Sequence, residues 1–265
     1  MNMSLLLVSL FSFSSVLSSS SVLSSSSVLS SSSCRFISMK IKNNIIAETH
    51  SLTKYQPRTQ NQKIYVEYLT NPKVSIVGGV GPAGSGKTLF ACHAAVSALK
   101  CGNVDKIVIT RPLISVDEEE LGFLPGSITN KMDPWTRPIF DILGEFYSTN
   151  QIKSMVENRI VEISPLAYMR GRTFKRCFII ADEMQNSSPN QMLMMLTRIG
   201  EDSKLVITGD LRQSDRSGIN GLFDFTQKLK SSEDSLIKII ELNNVDVQRS
   251  PVVSHILDIY DSKKI

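Results

Sequence analysis

The sequence predicts an α/β fold in which one mostly parallel sheet is flanked by helices. Three observations predict it. Short apolar runs alternate along the chain with stretches of helical periodicity, which is the pattern of strand–helix–strand units. A glycine-rich segment joins the first of these strands to the first of these helices. The 265 residues, 42% hydrophobic and 20% charged, suffice for one sizeable core and hardly for two.

Residues 1–38 read as a low-complexity leader, with Val-Leu pairs at 16, 22 and 28 spaced by serines and Arg35 as its only charge. Such a segment cannot bury a core and is expected to be disordered. Its serine-rich, acid-free composition resembles an organellar transit peptide, Leu5 to Phe13 could pass for a short signal core, and Met39 could be a true start. Loss of residues 1–38 removes only Arg35 and takes the net charge from +4 to +3. The leader is too short and serine-broken for a transmembrane helix, so no stable membrane insertion is expected. A cytoplasmic location is expected, with import into an organelle as the alternative. Residues 39–54 read as a linker and 55–265 as the catalytic domain.

The first strand is Val74 to Val80 and the Ala-rich helix after the loop is Leu89 to Leu99. Between them Gly81-Pro82-Ala83-Gly84-Ser85-Gly86-Lys87-Thr88 fits the pattern G-x-x-x-x-G-K-[ST] at every fixed position. A polyphosphate has to be wrapped by backbone N–H groups at close range, and glycine permits both the approach and the left-handed turns. Lys87 would reach the β- and γ-phosphates, and the Thr88 hydroxyl would ligate Mg²⁺. The phosphates would sit at the helix N-terminus, where orphan N–H groups and the dipole favour anions. This pattern predicts binding of a nucleoside triphosphate.

Further strands are expected at Lys106 to Thr110 and Ile160 to Ile163. Between them the stretch from Pro112 to Arg159 is an insert and the expected partner-facing region. It carries the acid run Asp117-Glu118-Glu119-Glu120, which reads as a solvated helix start, and Trp135, which either stacks on an unpaired base or packs in an interface. The apolar strand Cys177 to Ala181 ends in Asp182-Glu183. Asp182 would hold Mg²⁺ at the strand's carboxyl end, and Glu183 beside it is the natural general base for an attacking water. A helix near Asn190 to Ile199 precedes the strand Leu205 to Thr208, which runs into Gly209-Asp210-Leu211-Arg212-Gln213. Gln213 at that strand tip could hold the lytic water or sense the γ-phosphate, although the same residues also suit an ordinary turn. A helix at Ile219 to Leu229, a strand at Ile237 to Leu242 and a helix at Pro251 to Tyr260 complete the expected order.

These residues carry a resemblance: the chain resembles the PhoH-like family of P-loop ATPases, related to superfamily 1 helicases. The matching stretches, besides the phosphate loop, are Ile109 to Pro112, Leu121 to Gly126, Pro165 to Thr173, Asp182 to Asn186 and Leu196 to Gly200. The resemblance runs from about Tyr55 to Asp261 and implies a single RecA-like P-loop NTPase domain, with extra strands between phosphate loop and acidic strand. It implies ATP with Mg²⁺ as cofactor, and RNA as the polymer on which hydrolysis works. It gives Gln62 an adenine-reading role, and makes Gln185, Asn186 and Gln213 couple nucleotide state to the rest of the molecule. It also makes Arg249, in Asp246-Val247-Gln248-Arg249-Ser250, a catalytic cation; Ser250 stands where relatives place histidine. Met184 stands where the family usually has alanine, a packing change.

Charge building on the γ-phosphate calls for a cation, and the candidates are Arg249, Arg170, Arg172, Arg198 and Arg111. One of them is expected to act across a subunit interface in a homo-oligomeric ring. The charge of +4 permits nucleic-acid binding without demanding it, and no Lys/Arg block stands out. Cysteines 34, 92, 101 and 177 and histidines 50, 93 and 255 show no metal-ligand spacing, so no metal beyond Mg²⁺ is expected. Two functions stay open: an ATPase driving work on RNA, and a nucleotide-gated regulatory or assembly module with slow turnover.

Overall fold

Parallel strands buried on both faces read as near-continuous apolar runs, and the central strands here do so, whereas the two edge strands carry charged residues and are only partly buried. The structure, a computed structural model, describes residues 55–112, 137–214, 218–230, 234–248 and 252. All fall in the compact unit of residues 45–265. The leader, the linker, the acid run, Trp135, Arg249, Ser250 and nearly all of the last expected helix lie outside the described residues.

The elements are α1 (Gln60–Thr70), β1 (Ile76–Val80), α2 (Lys87–Lys100), β2 (Lys106–Thr110), α3 (Thr149–Glu157), β3 (Val161–Ile163), β4 (Cys177–Ala181), α4 (Pro189–Leu196), β5 (Lys204–Gly209), α5 (Gly221–Lys230) and β6 (Ile237–Glu241). Residues 137–143 are also helical. The six strands form one sheet in the order β3-β2-β4-β5-β1-β6, with every pairing parallel. The expected fold class is therefore the observed one. β5 lies between the strand that feeds the phosphate loop and the strand that ends in Asp182.

Successive residues of each strand point to opposite faces, and each face has its own core. Val77, Ile107, Ile109, Phe178, Ile180 and Val206 pack with α1, α2 and the 137–143 helix. Ile76, Val108, Ile179, Leu205 and Ile207 pack on the other side with Met184, Met192, Met195 and Leu222. Met184 is fully buried there, so methionine at this position fills core.

Several boundaries differ from expectation. The helix expected from Leu89 starts at Lys87, because the loop's last glycine, Gly86, is its N-cap. The helix expected to reach Ile199 stops at Leu196, where the Thr197 hydroxyl turns back to donate to the carbonyls of Leu193 and Met194. Among the described residues three helical stretches are not in the expected order, α1, α3 and residues 137–143; α1 and α3 are polar and open with capping boxes, Thr59 with Gln62 and Ser148 with Gln151. Among the described residues no helix is long and apolar enough to cross a membrane.

Candidate functional site

Open parallel sheets gather loops at the carboxyl ends of their strands, and three such ends converge here. β1, β4 and β5 lead into the phosphate loop, the Asp182-Glu183 pair and the Gly209–Gln213 turn, and these border one hollow of about 260 Å³. Larger hollows occur elsewhere among the described residues, one of about 880 Å³ near the start of β5.

The phosphate loop is shaped by close backbone approach. A β-carbon at Gly81 would lie 2.2 Å from the Leu242 carbonyl oxygen, so no other residue fits. Gly86 has φ +89° and caps α2 without offering a side-chain acceptor, which leaves the first-turn N–H groups free of a side-chain cap. Lys87 folds back over the loop, its Nζ donating to the carbonyls of Gly81 at 2.6 Å and Pro82 at 2.8 Å. From below, the buried Tyr65 hydroxyl of α1 donates to the Lys87 carbonyl at 3.2 Å. Burial pushes the Tyr65 phenol up, as does the nearby Asp182, so it stays a proton donor. Burial raises the Cys92 thiol in the same way, which makes it a packing group and no nucleophile.

The strand register pairs Ala181 with Ile207 and so sets Asp182 level with Thr208. Asp182, 8% exposed, accepts from the Thr208 hydroxyl and, at 3.0 Å, from Thr88 Oγ1. The sequence brought out Thr88 and Asp182 but missed Thr208, whose only signal was its place just before Gly209-Asp210.

Glu183 follows in the left-handed region, φ 54° and ψ 39°. Its Oε2 accepts from Gln185 Nε2, and Arg111 Nη2 lies 4.0 Å from its Oε1. Gln185, 1% exposed, also donates to the Gln213 carbonyl at 3.3 Å and accepts from Asp210 N at 3.1 Å. One amide thus ties the carboxylate of Glu183 to the turn that carries Gln213. Gln213 itself is exposed and lines the hollow.

The arginines part company. Arg111 stands beside Glu183, whereas Arg172 is bound to Glu162 at 2.5 Å and Arg198 donates to the carbonyls of Met194 and Arg172. Burial works against the Glu162 carboxylate, but hydrogen bonds from Arg172 and Lys106 outweigh it and hold its pKa below the ordinary range. Arg170 is exposed. Arg249 lies outside the described residues; Gln248 donates its N–H to the Gly84 carbonyl at 3.0 Å.

Gln62 sits under the loop and not on its surface. It is 2% exposed, its Nε2 donates to the carbonyls of Ser85 at 3.2 Å and Asp246 at 3.0 Å, and its Oε1 accepts from Arg58 N at 2.9 Å. No group of three or more His, Cys, Asp or Glu side chains suited to a metal occurs among the described residues.

Comparison with known proteins places this geometry in context. A family profile described as "PhoH-like protein" matches residues 54–261. A PhoH-like protein of Bacillus subtilis is 43% identical over 208 residues, covering 78% of this chain and 64% of that one. A PhoH-like protein of Mycobacterium tuberculosis is 43% identical over 210 residues, 77% of this chain and 57% of that one. The chain therefore spans roughly three-fifths of the length of these relatives. Among solved structures, the Pif1 helicase of Candida albicans aligns with a TM-score of 0.40 and 13% identity over 78% of this chain and 44% of its own.

Proposed function

The chain belongs to the PhoH-like family, and from that premise we propose that it binds ATP with Mg²⁺ at the carboxyl ends of β1, β4 and β5, hydrolyses it, and couples turnover to RNA binding or remodelling. The observation that carries the proposal is the 3.0 Å contact between Thr88 Oγ1 and Asp182 Oδ1 in the wall of a hollow that also holds Lys87 and Glu183. A hydroxyl and a carboxylate side by side suit Mg²⁺, which prefers one or two protein oxygens and leaves its other positions to phosphate and water. Bound there, the ion would neutralise charge on the β- and γ-phosphate oxygens.

The chain's own residues divide the remaining work. Lys87 would exchange its two loop carbonyls for phosphate oxygens, a charge-assisted gain. Glu183 would take the proton of the attacking water, with its carboxylate aimed by Gln185. Movement of the Asp210–Gln213 turn on γ-phosphate loss would pull on the same Gln185 amide, which gives hydrolysis a mechanical outlet. The family resemblance supports RNA as the polymer. Its bacterial relatives favour a cytoplasmic site of action. A stimulating arginine is offered by a neighbouring protomer of a ring, and turnover per protomer should then fall on dilution below the assembly concentration.

The test is ATP hydrolysis by the full chain with and without single-stranded RNA, beside Glu183→Gln and Lys87→Ala. Glu183→Gln should keep ATP affinity and lose at least about a hundredfold in turnover, because the base acts only in the chemical step. Lys87→Ala should lose binding. RNA stimulation absent in Glu183→Gln supports the proposal. Slow turnover indifferent to RNA would replace it with a nucleotide-gated assembly module.

A further inference from the structure

The turn after β6 returns to the phosphate loop through a buried polar cluster that the chemistry above does not use. Asp246 is 1% exposed, in the 3₁₀ turn Asn244–Asp246, and its own side chain caps that turn at Asn243. Its carboxylate accepts from Asn243 N at 2.7 Å, from Asn61 Nδ2 at 3.0 Å and from the Thr59 hydroxyl. Thr59 is the N-cap of α1, and its hydroxyl in turn accepts from Gln62 N at 3.2 Å. Gln62 then spans the gap, one amide donor reaching Ser85 of the phosphate loop and Asp246 of the turn. Two residues on, Gln248 N holds Gly84.

An amide offers two donors and one oxygen with two lone pairs. To read adenine, Gln62 would have to present one donor and one acceptor to the base. In this arrangement the donor nitrogen serves two main-chain carbonyls, and the oxygen serves the N–H groups of Arg58 and Thr59. Turning outward would leave the Ser85 and Asp246 carbonyls without this partner at a site 0–2% exposed, an expensive exchange for two bonds to a ligand. The Asp246 carboxylate agrees with a structural duty: burial opposes its charge, but the bonds from Asn61, Thr59 and Asn243 outweigh burial and hold its pKa below the usual range.

We propose that Gln62 and Asp246 are positioning residues: together they brace the Gly84–Ser85 backbone of the phosphate loop against the α1 N-cap and the 246–248 segment, and their contribution to nucleotide binding is independent of the base. The proposal rests on the nucleotide reading of the site. It puts the start of α1, the middle of the phosphate loop and the 246–248 segment in one rigid unit, so a change at Asp246, buried and not in the lining of the hollow, is felt by the phosphates.

The experiment is titration of the full chain with the fluorescent N-methylanthraniloyl derivatives of ATP and GTP, in Mg²⁺, for the parent, Gln62→Met, Asp246→Ala and Asp246→Asn, each with a thermal melt. Methionine keeps the length and helix preference of Gln62, and Asn at 246 can still accept from Asn243 N and Asn61 Nδ2 while donating to Thr59. Gln62→Met and Asp246→Ala should each weaken both nucleotides by about tenfold, the ratio of the two affinities staying within about twofold of the parent, and Asp246→Asn should restore most of the loss. A selective loss of the ATP derivative in Gln62→Met would make Gln62 a base reader and overturn the proposal. Parent-like affinities in a folded Asp246→Ala would overturn it as well. A parent that binds neither derivative would instead remove the nucleotide reading itself.

Discussion

Glu183 stands with φ 54° and ψ 39°, where a residue bearing a β-carbon carries strain of about 1–2 kcal/mol. The strain persists because the side chain is wanted in that direction, against Gln185 and Arg111. Glycine relieves it, so Glu183→Gly should melt at or above the parent temperature while losing hydrolysis. A melt several degrees lower would mean that the Glu183–Gln185 bond outweighs the strain. Gly81→Ala, by contrast, forces a β-carbon to 2.2 Å from the Leu242 carbonyl and should lose nucleotide binding and stability together. That Lys87, Thr88, Asp182 and Glu183 gather at one hollow was legible because a local pattern names them. The bond from Gln62 to Asp246 was not, because the two lie 184 residues apart and only folding brings them together.

The helices make the same point one level up. α1, α3 and α4 open on Thr59-Gln60-Asn61-Gln62, Ser148-Thr149-Asn150-Gln151 and Ser188-Pro189-Asn190-Gln191, and each is a capping box with glutamine at its fourth position. The signature was in the sequence, but α1 and α3 bury little: only Gln62, Tyr65 and Leu69 are buried in α1, and nothing is in α3. Both are also more polar than α2, whose Ala-rich apolar run directly after the phosphate loop made it the easier helix to read. α1 nevertheless sits directly beneath the site, because Gly79 of β1 admits the Tyr65 ring; a β-carbon at Gly79 would lie 2.8 Å from it. Tyr65→Phe keeps that packing and deletes only the bond to the Lys87 carbonyl, so it should destabilise by about 1 kcal/mol in chemical unfolding. Tyr65→Ala should cost about 3–5 kcal/mol through the cavity it leaves under α2.

At the scale of the molecule, the order β3-β2-β4-β5-β1-β6 could not be read from the chain, because strand neighbours are chosen by contacts remote in sequence. It matters that β5 intervenes between β1 and β4: this sets Thr208 beside Asp182 and hangs the Gln213 turn between loop and base. The opposite end of β5 bears no chemistry and fixes the sheet to α1 instead. Lys204 begins that strand, and its ammonium donates to the carbonyls of Tyr68 at 3.0 Å and Asn71 at 2.8 Å at the end of α1. Burial lowers its pKa to about 8, against about 10.4 for an unfolded lysine. Below pH 8 the charged form is present in both states and its desolvation opposes folding; between about 8 and 10.4 the unfolded chain holds the proton that the folded one has released, so stability rises with pH. The advantage of the parent over Lys204→Met should therefore grow from pH 7 to pH 10, measured as the difference of two denaturation free energies at each pH so that other titrations cancel. A difference that stays flat across that range would mean the ammonium is solvated well enough to keep its ordinary affinity for the proton, and that the tie between β5 and α1 holds at either charge.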